Sequence, residues 1–316
     1  MLCFIAKVKI PLVNRALYRN RDWHQNMPQA SLTQRVSANG DTRKDLLELA
    51  DGARIETVLL RYRDRYTVCV STQVGCACNC SFCATGQTGF IRHLTPDEIT
   101  AQVQHFRHEL APLGKDVSNV VFMGMGEPLL NLEATMTAMQ HLTDPRGLSL
   151  APGRITVSTV GIPAGIRHLA EAHRKRPVKL AVSLHAATDD IRSSLMPINQ
   201  TYPLAHLHEA LRIYTTRTHR HALLEWVMID GVNDTPAQAI ALVDWLDGLP
   251  AHVNLIRLNP TPVFEGRASS EAATDAFSVV LDQHGIPHTM RQRRGSAIDA
   301  GCGQLYAGRR LLHHGA

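Results

Sequence analysis

Thr67-Val68-Cys69-Val70-Ser71-Thr72-Gln73-Val74-Gly75-Cys76-Ala77-Cys78-Asn79-Cys80-Ser81-Phe82-Cys83 is a β-branched run that delivers three cysteines, Cys76, Cys80 and Cys83, at Cys-x3-Cys-x2-Cys spacing, with an aromatic residue before the last. Three thiolates so spaced suit a [4Fe–4S] cluster whose fourth iron is left open for a cofactor. The cofactor that fits is S-adenosylmethionine. Its amino and carboxylate groups chelate an open iron, and an electron from the cluster breaks a carbon–sulfur bond to release a 5′-deoxyadenosyl radical. Structural zinc is the alternative, but it wants four protein ligands, and no second Cys-x2-Cys or His-x3-His pair follows. Disulfides fit poorly, because the seven cysteines are an odd number in a chain too large to need staples. Cys78 has no place in the spacing and reads as a bystander, a small apolar residue.

Outward from that run, the pattern repeats. Strand candidates are Thr67–Val74, Asn119–Met123, Arg154–Thr159, Val178–Leu184, Leu223–Ile229 and His252–Leu258, and amphipathic stretches such as Thr95–Leu110, Pro163–His173, Leu204–Thr215 and Thr235–Leu246 lie between them. Thr95-Pro96-Asp97-Glu98 starts the first helix with a capping threonine, proline at the first helical position and glutamate three residues after the cap. Units of this kind predict a parallel sheet with right-handed crossovers, an open (β/α)6 partial TIM barrel. Such barrels collect reacting groups at the C-terminal ends of their strands. The cysteine triad, Gly124-Met125-Gly126-Glu127-Pro128, Ser158, Ser183 with His185, and Asn259 all fall there.

Ahead of the barrel, Leu32–Leu60 reads as a small antiparallel element with Asn39-Gly40 and Asp51-Gly52 as turns. The expected organisation is an extension over residues 1–30, the β element over 31–66, the core with a C-terminal cysteine loop over 67–308, and a tail over 309–316. Pro287–Arg291 reads as a short strand that leads into the loop Gly295 to Gly303.

At 316 residues, with 44% hydrophobic and 19% charged residues, the composition is that of a soluble globular protein. Lys7 and Lys9 interrupt the apolar start before a signal-peptide core forms, so a cytoplasmic protein with no membrane segment is expected. The net charge of +5 fits a polyanionic partner, and His173-Arg174-Lys175-Arg176, Arg291 with Arg293-Arg294, and Arg309-Arg310 could each meet phosphates. Each also reads as a solvated surface patch.

Ile55-Glu56-Thr57, Cys69-Val70-Ser71-Thr72-Gln73-Val74-Gly75-Cys76, Gly124-Met125-Gly126-Glu127-Pro128, Ser183-Leu184-His185 and Ile298-Asp299-Ala300-Gly301-Cys302-Gly303-Gln304-Leu305 closely resemble the RlmN/Cfr family of radical S-adenosylmethionine RNA (adenine) methyltransferases. The resemblance runs in order from about Ser31 to Gly308, and its C-terminal cysteine motif is the most specific part. It implies a chemistry suited to C2 and C8 of adenine, amidine-type carbons too poorly nucleophilic to attack a methyl sulfonium. By resemblance, Cys302 takes a methyl group as S-methylcysteine, a second S-adenosylmethionine supplies the radical that activates it, and the RNA becomes attached to Cys302. Cys69 then attacks the Cys302 sulfur in a transient disulfide, and Glu56 is the proton acceptor. Glu56 also reads as a plain surface carboxylate at a strand edge. Gly126, Glu127, Ser158, Ser183, Leu184, His185 and Asn259 match the positions that contact the cofactor, Glu127 suiting its ammonium group.

The chain departs from the family in having only about thirty unpatterned residues where a helical domain usually precedes the β element. Pro128 resembles the RlmN side, whereas Asn254–Asn259 and Leu305-Tyr306 resemble the Cfr side. The expectation is a monomeric C2 methyltransferase of 23S ribosomal RNA and of transfer RNA, using two S-adenosylmethionines per turnover and a flavodoxin-like or ferredoxin-like electron donor. The alternatives are a C8 methyltransferase conferring antibiotic resistance and a zinc-stabilised RNA-binding protein.

Overall fold

The computed structural model describes residues 30–307; the expectations for the segment before residue 30, for the 309–316 tail and for Arg309-Arg310 lie outside the described residues. Strands Ala30–Val36 (β1), Thr42–Glu48 (β2), Arg54–Tyr62 (β3) and Arg65–Cys69 (β4) pair antiparallel in chain order. The turns between β1, β2 and β3 carry Gly40 and Gly52 at positive φ, a conformation that glycine adopts without a steric penalty.

The run leading to the cysteines does not stay one strand. After β4 the chain leaves the sheet, and Gln73–Gly75 (β5) pairs antiparallel with Phe90–His93 (β6) in a separate ribbon. Side chains supply the bonds that a continuing ladder would have made. Gln102 brackets Ser71, accepting from its N–H at 2.8 Å and donating to its carbonyl at 2.9 Å. The Ser71 hydroxyl donates to the Glu56 carbonyl at 2.7 Å and accepts from the Met125 N–H at 2.8 Å. A short helix, Ala84–Gln87 (α1), follows the cysteines.

From β4 onward the sheet is parallel. Asn119–Phe122 (β7), Ile155–Thr159 (β8), Lys179–Ser183 (β9), Ala222–Met228 (β10), Ala251–Arg257 (β11) and His288–Met290 (β12) add in sequence order. The six units pair β4, β7, β8, β9, β10 and β11 with helices Pro96–Leu110 (α2), Leu132–Thr143 (α3), Pro163–Ala172 (α4), Leu204–Thr218 (α6), Pro236–Leu246 (α7) and Glu271–Gln283 (α8); Asp189–Leu195 (α5) lies between β9 and α6. This is the open (β/α)6 architecture, with β12 as a seventh parallel strand. The α2 capping box forms as expected, Thr95 Oγ1 accepting from the Glu98 N–H at 3.1 Å and Glu98 Oε2 from the Thr95 N–H at 2.8 Å.

The core fills the space between sheet and helices. Val120, Ile155, Val157, Leu180, Val182, Leu224, Trp226 and Val253 are fully buried, as are Ile99, Val103, Phe106, Ile166, Leu207 and Phe277 from the helices. One charged run is buried as well. Arg43 bonds Asp45 and Glu109, and His105 Nε2 lies 2.6 Å from Asp45, so the acidic charge facing α2 is met by a guanidinium.

Candidate cofactor and thiol site

The site lies where the parallel strands end. Cys76, Cys80 and Cys83 line an open cavity together with Gly126, Glu127, Ser158, Ser183, His185, Asn259 and Cys302. The expected cofactor positions thus meet in one place, with one exception. Leu184 is fully buried in the core and contributes main chain instead, donating its N–H to the Glu225 carbonyl at 3.1 Å.

The donor set fits a cluster better than a single ion. Among the described residues, the only metal-type ligand group whose atoms all lie within 4.8 Å of one another is Asp45, His105 and Glu109, so the three thiols are spread wider. Zinc at about 2.3 Å from each sulfur would draw its ligands closer than that. Burial pushes the Cys80 and Cys83 thiols up, and bound metal removes such protons outright. Cys78 is buried on the same side of the loop and also lines the cavity.

Glu127 is buried, and burial pushes its carboxyl up to about 7, against hydrogen bonds from Val160, Thr159 and Leu129. Its Oε2 accepts from the Val160 N–H at 2.7 Å and its Oε1 from the Leu129 N–H at 2.9 Å. With Thr159 as a third donor, the carboxylate keeps one acceptor position for an ammonium donor. Gly126 before it has φ +97, and a Cβ there would stand 2.5 Å from the Gln73 Cβ, so only glycine lets this turn approach β5.

His185 holds φ 59. Its Nδ1 accepts from the Val227 N–H at 3.0 Å, which leaves Nε2 as the protonated nitrogen. Burial, with the Arg192 charge adding to it, takes this imidazole down to about 3, so it stays neutral. Phe82 meets its ring edge-on at 4.9 Å, joining the cysteine loop to the end of β9.

Arg192 escaped the sequence reading because Asp189-Asp190-Ile191-Arg192 looks like a solvated helix start. It is fully buried and donates to the carbonyls of Leu184 (3.1 Å), Val160 (2.6 Å) and Ser183 (3.2 Å) and to Asn199 Oδ1 (2.7 Å), fixing the ends of β8 and β9. Arg192→Met is expected to cost about 3 kcal/mol or more, because four buried oxygens lose their donor at about 1–3 kcal/mol each, and to weaken S-adenosylmethionine binding; thermal unfolding and calorimetry check both. Glu225 had a legible signal, an acid inside the apolar run of β10. It is buried and accepts from Arg291 Nη1 at 2.9 Å and Asn254 Nδ2 at 3.0 Å.

The loop that carries Cys302 is tied down on both sides. Its carbonyl accepts from Asn259 Nδ2 at 3.1 Å, and Asn259 Oδ1 accepts from Arg293 Nε at 3.1 Å. The Gly303 carbonyl accepts from the Ala84 N–H at 2.7 Å, and the Leu305 carbonyl from Thr85 Oγ1 at 2.7 Å. Arg35 and Asp299 pair at 3.0 Å. The thiol itself is exposed. Cys69 is buried at the end of β4, and both thiols are free. Burial, then the Cys302 charge, pushes Cys69 up to about 12, against the Met123 backbone and Arg291.

Glu56 is no surface carboxylate. It is buried in β3, its Oε1 lies 2.8 Å from Lys44 Nζ, and its Oε2 accepts from the Tyr306 N–H at 2.6 Å. It lines a second cavity with Arg35, Lys44, Gln304 and Tyr306, not the cavity of the cysteine triad. Lys44 was missed because Thr42-Arg43-Lys44-Asp45 reads as a solvated charge run.

Residues 70–243 match the Radical SAM superfamily. The chain is 51% identical over 271 residues to dual-specificity RNA methyltransferase RlmN 1 of Myxococcus xanthus, covering 86% of this chain and 75% of that protein. It is 48% identical to the probable dual-specificity RNA methyltransferase RlmN of Chloroflexus aurantiacus, over 87% of this chain and 75% of that one. The crystal structure of a radical SAM methyltransferase from Sphaerobacter thermophilus superposes with a TM-score of 0.86 at 47% identity, covering 89% of this chain and 82% of its own. Streptococcus suis SuiB bound to S-adenosylmethionine shares the fold alone, with a TM-score of 0.52 at 11% identity over 74% of this chain and 55% of its own.

Proposed function

We propose, for a chain that belongs to the RlmN family of the radical S-adenosylmethionine superfamily, that it methylates C2 of adenosine in large-subunit ribosomal RNA and in transfer RNA. The observation that carries this reading is the meeting of Cys302 with the cysteine triad in one cavity. The identity to relatives named RlmN favours C2 over C8. A zinc-stabilised binding protein would have no use for an exposed thiol in that cavity. Iron and labile sulfide after anaerobic purification test this point, and one zinc with no sulfide would sink the radical chemistry.

When bound, the [4Fe–4S] cluster and S-adenosylmethionine supply an electrophilic methyl group and a 5′-deoxyadenosyl radical. The residues of the chain do the rest. Cys76, Cys80 and Cys83 hold the cluster, while Glu127, Ser158, Ser183 and His185, with main chain at Gly126, orient the cofactor; Leu184 supports them by fixing the end of β9, its N–H bonded to Glu225 and its carbonyl to Arg192. Asn259 serves the loop as well, through the Cys302 carbonyl. The Cys302 thiolate takes the methyl group and carries it to the base. Glu56 removes the ring proton. Cys69 attacks the Cys302 sulfur and a disulfide forms, while the methylene carbon leaves with the carbon–sulfur electron pair and takes up a proton to give the methylated base. In this scheme residues 31–66 bring Glu56 to a core over 67–308 that carries the two thiols.

A monomer, a cytoplasmic location and a flavodoxin-like or ferredoxin-like donor complete the proposal. No described helix is long and apolar enough to cross a membrane. The test is nucleoside mass spectrometry of ribosomal and transfer RNA from cells that lack native adenosine-C2 methylation and express this chain. The expected product is 2-methyladenosine. Detection of 8-methyladenosine instead would assign the C8 chemistry.

A further inference from the structure

The loop that carries Cys302 is a wall between two cavities. Cys302, Gly303 and Leu305 line the cavity of the cysteine triad, whereas Asp299, Gln304 and Tyr306 line the second one with Lys44 and Glu56. Glu56 and the Cys302 thiol therefore stand on opposite faces of one loop. Both carboxylate oxygens are taken, Oε1 by Lys44 Nζ at 2.8 Å and Oε2 by the Tyr306 N–H at 2.6 Å. Lys44 Nζ also donates to the Asp299 carbonyl at 3.0 Å. One buried lysine thus touches the start of the loop, and the carboxylate it holds touches the end.

We propose that Lys44 is a positioning residue for proton removal, clasping Glu56 to the Cys302 loop and keeping the carboxylate aimed when the loop shifts to present the RNA-bearing sulfur. The inference rests on the reading of Glu56 as the base. For Glu56 to reach a ring carbon attached to Cys302, the Tyr306 bond has to open, because that N–H occupies one oxygen from the loop itself. Lys44 belongs to β2, in register with β3 through the pairs Lys44 with Val58 and Leu46 with Glu56, so it stays when Tyr306 leaves. A buried ion pair adds little net stability over apolar packing, and a fold-supporting role alone would leave the link to Asp299 without a function.

The charged groups around Glu56 are Lys44 from β2 and Arg35 from β1, and Arg35 is itself paired with Asp299 from the loop. Burial raises the Glu56 carboxyl, and Lys44 is the strongest opposing influence. Without Lys44 the carboxyl stays protonated to higher pH, so its basic form appears only as pH rises further.

The experiment uses the cluster-loaded full chain as Lys44→Met, Lys44→Arg and Glu56→Gln. Intact mass reports methyl on Cys302, and gel shift under denaturing conditions reports RNA attached to the enzyme. For Lys44→Met, Cys302 methylation is expected within about twofold of the parent, while release of attached RNA slows about 100-fold, the scale of a lost general base. Its release limb moves to higher pH, and Lys44→Arg recovers most of the rate. Release at the parent rate, or equal loss of Cys302 methylation and release, overturns the assignment. Free release by Glu56→Gln removes the base reading and this inference with it. Stalling by Glu56→Gln alone removes only the role of Lys44.

Discussion

Cys302→Ala folds, loads its cluster and makes no methylated adenosine. The thiol is exposed and makes no hydrogen bond among the described residues, whereas the main chain around it is held by Asn259, Ala84 and Thr85. Alanine keeps those backbone bonds, so stability should stay within about 0.5 kcal/mol, as for an ordinary surface change. The chemical loss is of another order. With no thiolate to accept the methyl group, the protein gains no mass on incubation with S-adenosylmethionine, and product falls by more than about 10³-fold, the scale seen when a nucleophile is removed. Intact-protein mass and RNA nucleoside analysis measure both. Methylated RNA from this variant would rule out the carrier role.

The same loop marks how far the sequence could be read. The cysteine spacing needs only a few consecutive residues, and the helix starts need only a capping pattern, so both were legible. Glu56 looked like a strand-edge carboxylate because the N–H that occupies one of its oxygens belongs to Tyr306, 250 positions away in the chain. Lys44 and Arg192 sit in polar runs, and their hydrogen-bond partners lie on other elements, the Asp299 carbonyl for one and the ends of β8 and β9 for the other. Local pattern cannot report a buried charge whose hydrogen-bond acceptors arrive through the fold. The broken strand after Cys69 has the same origin, since Gln102 on α2 and Met125 after β7 take over the bonds of Ser71.

Cys69→Ala is expected to stop after carbon–carbon bond formation, with RNA attached to Cys302 in close to one equivalent per loaded enzyme. Cys69 begins as a poor nucleophile. Burial and the neighbouring Cys302 charge push its thiol up to about 12, so it is held as the thiol near neutral pH, and attack on sulfur requires the thiolate. Methylation of Cys302 changes one of those causes, and the RNA-bearing enzyme keeps that change. A thioether at Cys302 carries no charge, which removes the repulsion and leaves burial opposed by Arg291 and the Met123 backbone. The attacking form is therefore easier to reach once Cys302 is a thioether, although burial still opposes it. In the parent enzyme release of attached RNA rises about tenfold per pH unit below the Cys69 pKa, and Arg291→Met slows it. Rapid-quench gels across pH 7 to 9 measure the slope. A flat profile, or free turnover by Cys69→Ala, would assign the resolving step to another thiol, with Cys78 in the same cavity as Cys302 the first to test.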